Sequence, residues 1–280
     1  MGGLVFACIA PHGGDVIAEI AGDAAPTTQV TRRAMEDLGR RMEAARPDTV
    51  VVVTPHGVRV ANAICIMTTE KAYGMLAGSG GRIEAEFAVD TDLAEQIARR
   101  AIQHHSVPAA TAIYGASGGD DCYTPLDWGA LVPLWFLGAR WATPPSIVTI
   151  TPSRALTLKQ LYKFGTAIAE AANSSGRRVA LVASADWGHG HDADGPYGFA
   201  PESAEFDALI QEIVRSNRLD DLLSTDIDFA DRAKIDGLWQ AVILAGALQH
   251  TPMHGELLSY EAPSYFGMLV ASYEPAGNGQ

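Results

Sequence analysis

A chain of 280 residues can bury a full hydrophobic core, and we expect it to form a single domain over residues 1–280. Its hydrophobic content of 48% and charged content of 19% are ordinary for a globular protein. The formal net charge of -13 argues against a nucleic acid or an anionic membrane as partner, because both require a basic protein face. A small anionic ligand stays compatible with this charge, since it needs only a local basic spot.

The cysteines and the N-terminus bear on where the protein works. Cys8, Cys65 and Cys122 are scattered and odd in number, and the first two lie in apolar runs that are typical of reduced, buried thiols. No basic region precedes the short apolar run at the N-terminus, and no apolar stretch is long enough to span a bilayer. These features predict a cytoplasmic protein without a signal peptide.

The predicted elements begin with a buried strand, an apolar run that proline and glycine close. A helix with Thr27 or Thr28 as its cap, a second buried strand and a Gly-rich surface excursion over residues 70–86 follow. Strands and helices then alternate to the end, which predicts an α/β fold with a central, mostly buried sheet flanked by helices. The expected strands are 3–10, 49–54, 63–67, 110–114, 146–150, 179–184, 257–261 and 265–273, and the expected helices are about 28–45, 91–105, 155–174, 203–215 and 237–249.

Histidines follow three of the buried strands, each beside a glycine: His12, His56 and His189. Because open α/β sheets gather their ligands at the carboxyl ends of the strands, we expect these imidazoles to share one site. Neutral imidazoles that a rigid sheet holds close together suit a borderline or ferrous metal ion. His191 is ambiguous, since in this Gly-His-Gly-His loop it would contact the substrate, support the site from behind or simply be solvated.

A metal on two histidines usually takes a carboxylate as its third ligand, and that set leaves adjacent positions open for a substrate and O2. Spacing alone does not choose the carboxylate. Asp236 precedes Gly237 at the start of a predicted helix, where an N-cap is its alternative role. The candidates are Asp15, Asp186, Asp236, Glu256 and Glu261.

One motif points to a different chemistry. The segment 115–119 matches the Gly-x-Ser-x-Gly nucleophile elbow, with Ser117 as the nucleophile and Asp236 and His254 following in the order that α/β-hydrolases use. The elbow requires a helix directly after the serine, but a polar loop follows here. We therefore interpret the segment as an ordinary Gly/Ser loop.

Taken in order, these stretches resemble the class III extradiol dioxygenases, the superfamily of the protocatechuate 4,5-dioxygenase β subunit. The strand that ends at His12 resembles the segment of the first iron ligand, and Thr54-Pro55-His56-Gly57 resembles the second. The segment from Ser184 to His189 resembles the strand that ends in the catalytic histidine. Further matches, which extend the resemblance over nearly the whole chain, are Glu205-Phe206-Asp207, Asp236-Gly237 ahead of Gly246-Ala247-Leu248, and the closing segment 262–270.

The chain departs from the family pattern at two positions. Asp236 falls where the family usually carries glutamate, which is one methylene longer, so the backbone needs to come closer to the metal. Trp128 stands where a family Asp-His-Gly motif carries an active-site histidine that is thought to assist proton transfer. Tryptophan cannot donate and accept a proton in that way. Tyr123 and His191 are the candidates to take over that role, unless the chemistry differs.

The resemblance implies an enzyme, an extradiol ring-cleavage dioxygenase that holds Fe(II) on His12, His56 and Asp236. A catechol or 2-aminophenol and O2 would be its substrates, and His189 would be the acid–base catalyst. Asp186 would orient the imidazole of His189 or have a plain structural role. Zinc on the same ligands would support hydrolysis instead. A further alternative is a Memo-like protein, which has a similar fold and no established dioxygenase activity; some Memo-like proteins are interaction modules.

The resemblance also bears on partners and specificity. A homo-oligomer is our default expectation, and some family members add a small partner subunit that caps the site. Substrate specificity would reside in the segments 70–86, 115–125 and 190–200. Trp187 and Tyr197 are candidates to line the ring pocket, although core packing is the better interpretation of either alone.

Overall fold

The computed structural model describes residues 2–115 and 122–275. The strands in this part of the chain are β1 (Gly3–Ala10), β2 (Thr49–Val53), β3 (Ile64–Met67), β4 (Lys71–Gly78), β5 (Gly81–Ala88), β6 (Ala109–Ala112), β7 (Tyr123–Pro125), β8 (Ser146–Thr151), β9 (Arg178–Ser184), β10 (His254–Glu261) and β11 (Met268–Glu274). The α-helices are α1 (Ala18–Ala21), α2 (Gln29–Ala45), α3 (Thr91–His105), α4 (Trp128–Leu134), α5 (Leu158–Ser175), α6 (Pro201–Arg215), α7 (Ile227–Arg232) and α8 (Leu238–His250). Short 3-10 turns cover Gly14–Val16, Gly22–Thr28 and Leu219–Ser224, and a π-helical turn covers Trp135–Ala139.

Eight strands form the central sheet, in the order β10-β11-β1-β9-β2-β8-β3-β6. Its centre, from β1 through β9 and β2 to β8, is parallel, so the carboxyl ends of these four strands meet at one edge. β11 is antiparallel to β1, and β3 is antiparallel to β8. The expected α/β fold with a central, mostly buried sheet flanked by helices is confirmed.

Each face of the sheet is covered by its own apolar core, which explains why the parallel strands are continuous apolar runs. Along β2, Val51 and Val53 pack into one core and Val50 and Val52 into the other, as the two-residue period of a strand requires. The first core is completed by α3, α5, α6 and α8, and the second by α2 and α4.

Helices α5 and α8 approach each other closely because glycines face the contact. A Cβ atom on Gly165 would overlap the carbonyl oxygen of Ile243, and one on Gly246 would overlap that of Tyr162. Nearly every residue of α8 is buried, so this helix lies inside the core rather than on it. Its position fixes where the segment preceding it, with Asp236, meets the sheet.

The predicted surface excursion over residues 70–86 is wrong. This segment is the β4–β5 hairpin, which β7 extends to a second, three-stranded sheet. Ala72, Ile83 and Phe87 are buried on the inner face of this sheet and belong to the core that contains α2. The pattern is hard to detect because glycine and charged residues occupy most of the other positions.

Helix α3 begins and ends where the periodicity predicts, at Thr91 and His105, with Asp90 capping its first turn through the Leu93 N–H at 3.0 Å. The closing strand begins at Met268 rather than at residue 265. Tyr265 and Phe266 therefore lie in the turn before it, and both rings contact His189. Among the described helices, none combines the length and the apolar character that crossing a membrane would require.

Candidate metal centre

The carboxyl edge of the parallel strands brings two histidines and one aspartate together. His12 follows β1, His56 follows β2, and Asp236 comes from the loop that leads into α8. The Nε2 atom of His12 lies 3.1 Å from Nε2 of His56 and 3.4 Å from Oδ2 of Asp236. The same carboxylate oxygen lies 3.6 Å from Nε2 of His56. These three side chains are the ones that we expect, from the family resemblance, to bind a metal.

The spacing of these atoms fits a shared ion. Ligand atoms at about 2.1 Å from one ion stand about 3.0 Å apart at a right angle and about 3.4 Å apart at the tetrahedral angle. The observed separations of 3.1 and 3.4 Å lie within that range, and the third, 3.6 Å, is slightly longer. Two imidazoles and a carboxylate are also a ligand set that ferrous iron and catalytic zinc both use, so the residues fit either ion.

The tautomer of His12 is fixed by a chain of hydrogen bonds. The buried hydroxyl of Ser184 donates to the Gly129 carbonyl at 2.5 Å, which leaves its oxygen to accept from Nδ1 of His12 at 3.0 Å. With its proton on Nδ1, a neutral His12 presents the lone pair of Nε2 to the other two side chains. Ser184 ends β9, the strand beside β1, so the sheet register places it there.

Asp236 reaches the centre because its loop packs tightly against the end of β9. A Cβ atom on Gly237 would lie 2.7 Å from that of Ala185 and 2.9 Å from the carbonyl oxygen of Asp186. The Asp186 N–H donates to Oδ1 of Asp236 at 3.2 Å, and Oδ2 faces the two histidines. The close approach that a shorter carboxylate needs is therefore present, and Gly237 permits it. Gly237, rather than Asp236, is the N-cap residue of α8.

His56 is held from both its backbone and its ring. Its N–H donates to the Thr54 hydroxyl at 3.2 Å, and that hydroxyl donates to Asp127 at 2.6 Å. Asp127 also caps α4 through the Ala130 N–H at 3.1 Å. The next residue, Trp128, stacks on the imidazole of His56 with centroids 4.1 Å apart and planes at 25°.

The pKa values of His12 and His56 are shifted in opposite directions. Burial disfavours the charged form of His12, but the carboxylates of Asp186 and Asp236 outweigh it and raise the pKa of His12 to about 9. Burial, followed by the charge of His12, lowers the pKa of His56 to about 4. The charges of Arg59 and Arg154 act on the pKa of His56 in the same direction.

His189 lies on the same cleft as His56 and Asp236, two of the three candidate ligands. The cleft has a volume of about 380 Å³ and is lined by His56, Arg59, Arg154, His189, Tyr197, Asp231, Lys234, Ile235 and Asp236. Nδ1 of His189 donates to the Lys234 carbonyl at 2.9 Å, so Nε2 is the nitrogen left for a ligand in the cleft. Tyr197, Tyr265 and Phe266 surround the ring with centroids 5.7, 6.0 and 5.7 Å away.

Among the described residues, the hydrogen-bond partner of the His189 imidazole is the Lys234 carbonyl and not Asp186, which the sequence predicts to orient this imidazole or to be structural. The carboxylate of Asp186 accepts the His12 N–H at 3.1 Å and lies 3.3 Å from Nε2 of His12. It therefore supports His12, on the neighbouring strand, and the backbone of Lys234 orients His189 instead. Burial raises the pKa of Asp186 to about 6, against the opposing effect of His12.

The candidates to replace the family histidine lie elsewhere. His191 donates from Nε2 to the buried carboxylate of Asp207 at 2.9 Å, which also accepts from the Tyr260 hydroxyl at 2.7 Å. Tyr123 belongs to the three-stranded sheet, where it packs edge-on against Tyr73 with centroids 6.1 Å apart. Neither residue lines the cleft of His189.

The other candidates have separate places. Glu256 pairs with Arg41, and Glu261 accepts the Thr31 N–H at 2.7 Å. Trp187 is buried in the core against Phe206, whereas Tyr197 lines the cleft. His254 begins β10 on the surface, Asp15 lies in the turn after β1, and Ser117 lies outside the described residues.

Some residues of the site could not be identified from the sequence pattern. Ser184 and the Lys234 carbonyl orient the two histidines through hydrogen bonds that depend on the tertiary structure. Arg154 is different, because it follows a buried strand, β8, much as His56 follows β2. That position is the signal that would have placed Arg154 at the cleft.

The fold is consistent with that of a family of aromatic ring-opening dioxygenases. Residues 6–271 match the family described as the catalytic LigB subunit of aromatic ring-opening dioxygenase, and the chain belongs to that family. The match covers both candidate histidine ligands, Asp236 and His189.

The chain is also similar to individual proteins, one by sequence and one by structure. The chain is 26% identical over 269 residues to Protein CA_C1420 of Clostridium acetobutylicum, an alignment that covers 96% of this chain and 57% of that protein. The chain thus spans little more than half the length of this curated relative. It is also similar to the crystal structure of the uncharacterized protein JW3007 from Escherichia coli K12, with a TM-score of 0.57 and 15% identity over 96% of this chain and 99% of that one. At that identity the likeness concerns the fold alone.

Proposed function

We propose that the protein is a non-haem Fe(II)-dependent extradiol dioxygenase that opens a catechol-type or 2-aminophenol-type ring with O2. Membership of the LigB family supports this class of reaction. The observation that carries the proposal is that His56 and Asp236, which form one group with His12, line the same cleft as His189. That arrangement supplies an ion-binding site and a separate acid–base group.

His12, His56 and Asp236 would hold the iron, with Ser184 keeping the tautomer of His12 suitable. Bound there, a ferrous ion would supply Lewis acidity toward the substrate hydroxyls and the redox chemistry that O2 requires. Asp186 and Asp236 contribute negative charge around His12. This charge would attract a divalent cation to the site.

His189 would move the proton of the substrate. Because Nδ1 donates to the Lys234 carbonyl, Nε2 is the atom that accepts a hydroxyl proton from a catechol in the cleft and later returns it. Neither Tyr123 nor His191 lines that cleft, so His189 carries this task without the second histidine of the family pattern. Tyr197, Tyr265 and Phe266 provide aromatic surface around it.

The proposal is tested by O2 uptake of protein loaded anaerobically with Fe(II) and given a panel of catechols and 2-aminophenols. We expect uptake with a new absorbance near the visible edge, abolished in His12→Ala and reduced at least about a hundredfold in His189→Gln, as for other acid–base residues. His104→Gln, at an exposed position of α3, is the matched control and should keep full activity.

Trp128 favours a second candidate, a Memo-like metal-binding or interaction protein without ring-cleavage activity. The residue replaces an acid–base group by an indole that stacks on His56. Iron that binds to the wild type but gives no uptake with any substrate would support this alternative. Hydrolysis of activated esters by zinc-loaded protein, lost in His56→Ala, would support a zinc hydrolase on the same residues.

A further inference from the structure

Two arginines stand where two cavities meet. Arg59 and Arg154 line the cleft of His189, and both also line a neighbouring cavity of about 360 Å³. The remaining walls of that second cavity are Pro55, Val60, Ala61, Pro152, Ser153, Trp239 and Gln240. A ligand that occupied both cavities would therefore lie beside both arginines.

The sheet explains why these two side chains are neighbours. Arg59 lies in the loop after β2, a few residues past His56, and Arg154 lies in the loop after β8. β2 and β8 are adjacent and parallel, so their carboxyl ends deliver both loops to the edge at which α/β sheets bind ligands.

Both guanidinium groups keep hydrogen-bond donors available. Among the described residues, Arg59 uses one nitrogen, which donates to the Pro55 carbonyl at 3.0 Å. Arg154 stacks over the indole of Trp239 with its guanidinium carbon 4.2 Å from the ring centroid, an arrangement that leaves the N–H groups at its rim free. Within residues 2–115 and 122–275, no carboxylate lies within 4.0 Å of either guanidinium.

Lys234 is the third cationic side chain that lines the cleft, and it differs from the two arginines because its charged group is engaged in hydrogen bonds. The ammonium group of Lys234 donates to the carbonyl oxygens of Tyr197 and Gly198, so it holds the loop that borders the cleft. Arg59 and Arg154, which have no ion-pair partner among the described residues, repel each other, although the more distant carboxylates of Asp236 and Asp231 also act on Arg154. Such a pair is unexpected in a chain with a net charge of -13. An oxyanion between them would remove the repulsion and satisfy the free donors.

We infer that Arg59 and Arg154 bind an oxyanion of the substrate, a carboxylate or a phosphate, remote from the reacting end that the metal centre takes. The planar fork of each guanidinium matches such a group with two parallel hydrogen bonds. The identity of the reacting end rests on the proposed function, but the anion site does not. A neutral catechol would accordingly be a poor ligand compared with one that carries an acidic substituent.

Calorimetric binding to metal-free protein tests the inference without any turnover. The probes are 3,4-dihydroxybenzoate, which carries a carboxylate, phenyl phosphate, which carries a phosphate, and catechol, which is neutral. Binding of each anionic probe is compared with binding of catechol. The variants are Arg59→Gln and Arg154→Gln, with Arg154→Lys to keep the charge but remove the fork. Arg140→Gln is the matched control, since Arg140 also lies over an indole, that of Trp135, but outside both cavities.

We expect each glutamine variant to weaken binding of the preferred anionic probe by about tenfold to a hundredfold, with catechol unaffected. Arg154→Lys should fall between the wild type and Arg154→Gln, and Arg140→Gln should bind as the wild type does. Equal affinity of the wild type for catechol and for both anions, or unchanged anion binding in Arg154→Gln, would overturn the inference.

The iron-loaded enzyme separates this inference from the proposed function. If the protein is a dioxygenase, the glutamine variants should raise KM for the anionic catechol with little change in kcat. Anion binding that depends on the arginines, without O2 uptake by any form, would retain the anion site and reject the dioxygenase. O2 uptake with no arginine dependence in either assay would do the reverse.

Discussion

Trp128 lies against His56, with the indole and the imidazole stacked at a centroid distance of 4.1 Å. According to the family resemblance, Trp128 falls where a histidine that assists proton transfer is expected, so an indole that cannot carry a proton borders the candidate metal site instead. Asp127 couples the two rings further, because it caps α4 at Trp128 and accepts the hydroxyl of Thr54, which in turn accepts the His56 N–H. Trp128 thereby fixes the plane of a candidate ligand.

Removal of the indole should therefore weaken metal binding. We expect Trp128→Ala to raise the dissociation constant for Zn(II) by roughly 2- to 10-fold, the equivalent of one aromatic stacking contact. Trp128→Phe keeps the stacking surface and should stay within about twofold of the wild type. Competition with a chromogenic chelator measures both, and equal constants for Trp128→Ala and the wild type would show that the stacking does not orient His56.

The hydrogen bond between Ser184 and His12 should matter more. Ser184→Ala removes the acceptor that holds the proton on Nδ1, so His12 loses its fixed tautomer and ring orientation. Loss of such a supporting partner typically costs about 10- to 100-fold in metal affinity. The same chelator competition applies, with Ser175→Ala at the end of α5 as a control that should leave the affinity unchanged. An unaltered affinity in Ser184→Ala would mean that other contacts hold the imidazole.

The positions of His12 and His56 could be predicted because they depend on one rule, the shared carboxyl edge of parallel strands. Helix α3 was predictable for a similar reason, since its cap at Asp90 and its apolar stripe are both local signals. The partners of the histidines were not predictable in this way. Asp186 is close to His189 along the chain, yet β9 directs its side chain toward His12 on the neighbouring strand.

The hairpin over residues 70–86 is a second feature that could not be predicted from the sequence. Its inner face buries Ala72, Ile83 and Phe87, but the small first residue and the intervening glycines obscure the two-residue period. Pairing with β7, more than thirty residues away along the chain, completes its sheet. Such a partner leaves no trace in a local window, so the segment resembles a loop until the tertiary structure is known.

The close approach at Gly237 should be needed for both stability and metal binding. In Gly237→Ala the new methyl group would lie 2.7 Å from the Cβ atom of Ala185, so the loop of Asp236 must move outward. We expect a loss of about 1–3 kcal/mol in the free energy of unfolding and a weaker affinity for Zn(II). Ala185→Gly in the same chain removes the Ala185 methyl group and should recover part of both, as urea denaturation and chelator competition would measure. Full stability and affinity in Gly237→Ala alone would contradict the argument.

Metal affinity should rise with pH because a proton occupies His12 in the metal-free protein. The carboxylates of Asp186 and Asp236 raise the pKa of His12 to about 9, so at neutral pH an incoming ion must displace that proton. Burial lowers the pKa of His56 to about 4, so His56 is already neutral and adds no competing proton. We expect the affinity for Zn(II) to increase by about tenfold per pH unit between pH 7 and 8.5, with one proton released per ion, and to level off above about pH 9.

Asp186→Asn removes one of the two carboxylates, lowers the pKa of His12 and should move the levelling-off point to lower pH. Chelator-buffered titrations and proton release in weak buffer measure both quantities; an affinity independent of pH over this range would mean that His12 is already neutral.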